Sequence, residues 1–238
     1  MCYNAAMSKK KPAKKMPESM RAVRWAIGIL AVAIPLLPVA VWLHSVYPIY
    51  SAMGMGWFTM LYLPARALGL IGFVLMVYQF VMSSRFRIME KAFTRPVMFQ
   101  LHKNLGIIGF LIILLHGLFM LLFDVIVAGE IQLGGPRAAG IIALVLLIIA
   151  VVVAIWWKPM KLSRKQWMAI HRLTYAVLPL ALYHAVSIGT TLQTSQWVMG
   201  LFYVLGALYV TVSVRRLHQA VKDFKKKRQP RPAAAGRE

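Results

Sequence analysis

Cysteine is almost missing from this chain. Cys2 is the only one in 238 residues, which excludes an intramolecular disulfide, a thiolate cluster and an iron–sulfur ligand set. Acidic residues are nearly as scarce, with six Asp and Glu against 28 Lys and Arg. Their near absence from the apolar blocks weighs against a haem-free transporter or channel, which needs acidic or polar partners inside its spans. No glycine-rich phosphate-binding fingerprint follows a strand pattern, so no motif binds a nicotinamide within the chain.

What is abundant is apolar sequence. Hydrophobic residues make up 60% of the chain and fall in long blocks instead of an amphipathic scatter, the mark of an integral membrane protein. Six spans are predicted, at 25–43, 61–82, 105–123, 139–157, 173–189 and 197–214. The fold class is therefore all-α, a six-transmembrane-helix bundle over residues 25–214. Basic, proline-bearing tails at 1–24 and 215–238 flank it and are expected to be disordered. No soluble domain is expected before or after the spans. The first span follows a basic stretch as a signal peptide would, yet it is about twenty residues long and lacks a small-residue cleavage site, so it reads as a retained anchor.

A net charge of +22 invites a nucleic-acid reading, but its distribution argues otherwise. Of the 28 basic residues, 26 lie before span one, between spans two and three, between four and five, or after span six. The positive-inside rule then places both termini and these loops in the cytoplasm, as in a bacterial inner membrane. Arg66 and Arg137 alone break the pattern. Trp42, Tyr47, Tyr50, Trp57 and Trp197 fall near the outer boundary, and Trp25, Trp156, Trp157 and Trp167 near the inner one, where amphipathic rings are favoured.

Four histidines carry the chemistry. His102 and His116 are fourteen residues apart in span three, and His171 and His184 thirteen apart in span five. At about 1.5 Å per residue, either pair separates its imidazoles by roughly 20 Å, within a hydrocarbon core about 30 Å thick. Both spans run from inside to outside, so the depth-matched pairs are His102 with His171 and His116 with His184. Imidazole is a strong axial ligand for haem iron, and such pairs suit two stacked haems. The competing reading of any single histidine is a hydrogen bond to a neighbouring helix.

Thirteen residues at 100° each land about 140° from the starting face, so span five needs an irregularity to present both rings to one partner. Pro179 is the expected place. Arg66 in span two requires an anionic partner; a haem propionate at the outer site fits, with snorkelling to lipid headgroups as the alternative. Gly106, Gly109 and Gly117 leave room for a flat macrocycle or serve plain helix packing. His44 and His218 read as ordinary interfacial or solvated residues, and Asp124 and Glu130 as ordinary outer-side acids.

The segments LHKNLGIIGFLIILLHG, IHRLTYAVLPLALYHA and PARALGL resemble the ferric reductase-like transmembrane domain, the six-helix haem core of NADPH oxidases and ferric reductases. The resemblance covers about residues 25–214. It implies that His102, His116, His171 and His184 bind the iron of two b-type haems, and that Arg66 matches an arginine near the outer haem. Large members of the family continue into a cytosolic flavin and nicotinamide domain; this chain does not, so the resemblance implies a separate flavoprotein donor. The haem-binding membrane subunit of the periplasmic methionine sulfoxide reductase system is a stand-alone bacterial relative of similar length. Its pattern lacks the inner histidine of span three, so His102 favours the full two-haem core.

The reading that follows is an oxidoreductase component, passing electrons from a cytosolic flavoprotein to an extracytoplasmic acceptor. Arg85, Arg87, Lys91, Arg95, Lys161, Arg164 and Lys165 would steer an acidic donor, or serve topology alone. The acceptor is left open among ferric chelates, oxygen, a quinone and a periplasmic redox protein. The alternatives are a haem subunit feeding a periplasmic reductase, and a haem-free transporter.

Overall fold

A computed structural model describes residues 17–54, 56–84 and 86–228, with side chains described to residue 225. Cys2, Arg85 and the tail residues 1–16 and 229–238 lie outside the described residues. The elements in order are α1 (Glu18–Met53), a π-helical turn (Phe58–Tyr62), α2 (Leu63–Ser83), α3 (Arg87–Ala92), α4 (Arg95–Ala128), α5 (Gly135–Trp156), α6 (Arg164–His171), α7 (Thr174–Ile188), α8 (Thr190–Thr194) and α9 (Gln196–Arg228). The described residues contain no strand.

Among the described residues five segments are long and apolar enough to cross a membrane: α1, α2 with its π-helical turn, α4, α5 and α9. Their outward surfaces carry Ile29, Leu36, Leu111, Leu118, Val145 and Val204, all exposed apolar side chains of the kind lipid covers. The chain is an integral membrane protein. The remaining predicted span coincides with α7, whose 15 residues give about 22 Å, short of a full crossing.

Residues 18–24 and 215–228, read from composition as disordered tail, are helical. Once a span has nucleated a helix, each further residue adds a hydrogen bond without a new nucleation cost, and Lys, Arg and Gln are good helix formers.

α2 occupies the centre. Its Phe73, Val74, Val77 and Phe80 are buried against Leu178 of α7 and Phe202, Leu205 and Tyr209 of α9. Phe73 and Phe202 stack at 4.4 Å. α4 packs chiefly on α2, and α7 chiefly on α5. These two helix pairs carry the histidines.

The irregularity expected at Pro179 lies elsewhere. α7 runs unbroken through Pro179, while the helix breaks at Arg172 and Leu173, between His171 and α7. There Leu173, Tyr175 and Ala176 donate to carbonyls three residues back, a tighter winding that re-phases the chain. The proline is absorbed because the carbonyl it deprives of a partner, that of Tyr175, accepts from the Tyr209 hydroxyl at 2.7 Å.

Candidate haem-binding site

Each histidine is placed by ordinary local rules. α4 starts at Arg95 with Pro96 in its first turn and runs without a break past His102 and His116 to Gly129, whose φ of 75° caps it. α6 begins at a capping box: Ser163 Oγ accepts from the Gln166 amide and Gln166 Oε1 from the Ser163 amide. Trp167 and His171, four residues apart, share one face of that helix and stack at 6.0 Å with planes 15° apart. Trp157 stacks on Trp167 in turn, at 5.7 Å.

The structure brings the four histidines together in the two depth-matched pairs. His102 and His171 have ring centres 6.5 Å apart, at the end of the bundle where the basic loops gather. His116 and His184 are 6.2 Å apart, towards the opposite end. A metal–imidazole bond of about 2 Å, with the ring centre roughly 1 Å behind the ligating nitrogen, sets two rings on opposite sides of one ion about 6 Å apart. Both pairs have that separation. Among the described residues no group of three or more His, Cys, Asp or Glu side chains converges. Two imidazoles suffice for haem, since the macrocycle supplies the other four donors.

The far-end pair borders a cavity of about 290 Å³, lined by Arg66, Gly69, Phe73, Gly140 and Leu144 among others. His116 Nδ1 donates to the Ala65 carbonyl at 2.8 Å, and His184 Nδ1 to the Pro136 carbonyl at 2.9 Å. A carbonyl only accepts, so both rings carry their proton on Nδ1 and leave Nε2 free to ligate.

Arg66 lies on the cavity wall. Its Nη2 donates to Thr191 Oγ1 at 2.8 Å, its guanidinium lies over the Tyr62 ring at 5.9 Å, and its Nε is buried without a hydrogen-bond partner. Its partners are thus a hydroxyl and a ring face, with a buried donor left over for an anion entering the cavity. Asp124 is taken up by Arg137 at 3.2 Å.

The basic-end pair is held differently. Gln79 satisfies its neighbours in one orientation, its amide nitrogen donating to His102 Nδ1 and to the His102 carbonyl while its oxygen accepts from the Gly106 amide. His171 Nδ1 is buried beside the Ala150 carbonyl but outside hydrogen-bonding geometry. Arg216 of α9, donating to the Tyr175 hydroxyl and the Ser83 carbonyl, lies within electrostatic reach of His102.

Sequence reading missed Gln79, Gly69, Gly140, Arg216 and the Trp157–Trp167 stack. A lone amide in an apolar span was the available signal for Gln79. The glycines singled out from sequence pack against helices: Gly106 against Gln79, Gly109 against Leu75 and Gly117 against Leu144. His44 and His218 are exposed and apart from either pair.

An integral membrane helical bundle with two pairs of facing imidazoles is the class that this fold and site define. Residues 68–182 match the family model described as ferric reductase like transmembrane component. Over this stretch the chain is similar to a family that works in transmembrane electron transfer and generally binds haem. The matched stretch holds His102, His116 and His171; Arg66 and His184 each lie two residues outside it. No curated protein and no solved structure matches the chain.

Proposed function

We propose that this chain carries electrons across a bacterial inner membrane, from a separate cytosolic flavoprotein to an extracytoplasmic acceptor, with two b-type haems held by His102 with His171 and by His116 with His184. The observation that carries this reading is the double pair of imidazoles at 6.5 and 6.2 Å, stacked along the bundle axis. The resident haems supply one-electron ferric and ferrous chemistry. His102 with His171 and His116 with His184 would hold these haems as their protein ligands.

The chain's own residues do the rest. Phe73, Met76, Ile113, Leu147 and Val177 keep water out of the space below the far-end pair. Arg66 offers its unpartnered Nε to a propionate. Lys158, Lys161, Arg164, Lys165 and Arg172, all exposed around the Trp157–Trp167 stack, attract an acidic donor. The same basic loops favour a six-span topology with cytoplasmic termini, α6 and α7 together making the fifth crossing. An outward electron then moves with an inside-negative potential.

Proteoliposomes test the reading. Reduced flavodoxin added on the side of the basic termini should reduce ferricyanide sealed on the other side. Ferricyanide that stays oxidised while dithionite reduces the haems would overturn it.

A further inference from the structure

The two carbonyls that fix the far-end histidines share a local pattern. Ala65 is followed four residues later by Gly69, and Pro136 by Gly140. On a helix those positions lie one above the other, so each glycine opens the wall directly beside its carbonyl. The imidazoles fill both openings. A Cβ on Gly69 would lie 2.9 Å from His116 Cε1 and 3.0 Å from its Nδ1; one on Gly140 would lie 2.6 Å from His184 Nδ1 and 2.9 Å from its Cε1. Contacts of that length displace the ring, and a displaced ring loses its hydrogen bond.

The arrangement occurs twice, once per helix pair. α2 receives a histidine from α4, and α5 receives one from α7. The basic-end pair has neither notch. Neither basic-end Nδ1 makes a backbone bond of that geometry: His171 Nδ1 is buried without a partner, and His102 Nδ1 lies against the Gln79 side-chain amide. The Gln79 amide can donate through its nitrogen or accept through its oxygen, so it serves either tautomer of His102 and does not hold the ring in the ligating one.

We propose that Gly69 and Gly140 are positioning residues that, with the Ala65 and Pro136 carbonyls, preset His116 and His184 in the ligating tautomer and make the far-end pair the tighter of two haem sites. This rests on the haem reading above and adds an order to it: the far-end site fills first and empties last. Backbone partners to metal-binding histidines are typically worth 10- to 100-fold in affinity, which sets the expected difference between the sites.

The test uses the full chain purified with its haems, challenged with excess apomyoglobin, each haem being followed by its own spectrum. Haem loss should be biphasic, with the His171→Ala variant lacking the faster phase and His184→Ala the slower. Gly69→Ala and Gly140→Ala should speed the slow phase by 10-fold or more and shift the low-spin electron paramagnetic resonance signal of that haem alone. Gly206→Ala is the control, because its Cβ would meet only Leu182 Cδ2, at 2.8 Å, away from the cavity; it should leave phase and signal unchanged. Loss of both haems at one rate in the unaltered protein would overturn the proposal even if the glycine variants fail to fold. Equal effects of Gly69→Ala and Gly206→Ala would also overturn it. A protein that binds no haem contradicts the functional reading instead.

Discussion

The Tyr209 hydroxyl of α9 reaches the Tyr175 carbonyl of α7 at 2.7 Å, the carbonyl that Pro179 leaves without a helical donor. One side chain thus supplies the bond that the proline removes, and α7 stays continuous up to His184. Tyr209→Phe removes only the hydroxyl and should destabilise the bundle by about 1 kcal/mol, read as a lower melting temperature in detergent. Pro179→Ala in the same background should restore most of the loss, because the main chain then provides the donor. An unchanged melting temperature in Tyr209→Phe would show that the bond contributes nothing.

Arg66 has a buried Nε with no partner and lies on the wall of the far-end cavity. Arg66→Leu should therefore shift the midpoint potential of the His116–His184 haem while leaving the His102–His171 haem as it was. Equal perturbation of both would contradict the propionate assignment.

The proposed haem sites make each histidine pair a unit. His116→Ala or His184→Ala should remove the low-spin spectrum of one haem, and His102→Ala or His171→Ala that of the other, with about half the haem retained in each case. A single variant that empties both sites would mean that the pairs do not bind haem independently.

Exposed positive charge surrounds Trp157 and Trp167. Raising ionic strength should slow reduction of the basic-end haem by flavodoxin, since exposed charges are screened within about 10 Å at 0.1 M salt. Replacing Lys161, Arg164 and Lys165 by Gln should reproduce that slowing at low salt. A rate that does not change with salt would leave these residues to topology alone.

The four histidines were legible in the sequence because helical rise alone converts their spacing into depth, and depth alone pairs them. Arg66 was legible because a lone guanidinium in an apolar span is costly, although its protein partner proved to be the Thr191 hydroxyl. The break at Arg172 and Leu173 was not. No glycine or proline marks it, and Pro179, which drew attention, is compensated by a tyrosine thirty residues further along the chain. Gly69 and Gly140 were equally invisible, since each meets a histidine from a different helix, a tertiary relation that periodicity within one helix does not encode. The helical ends at 18–24 and 215–228 escaped a composition-based reading because helices propagate beyond the spans that nucleate them.

The most direct measurement is a dithionite-reduced minus oxidised visible spectrum of the purified chain, with pyridine haemochrome quantification of haem per polypeptide. Two b-type haems per chain are expected, both low-spin with two histidine ligands. A single haem would leave one of the two imidazole pairs without its role, and a colourless protein that takes up no haem would rule out electron transfer through these histidines.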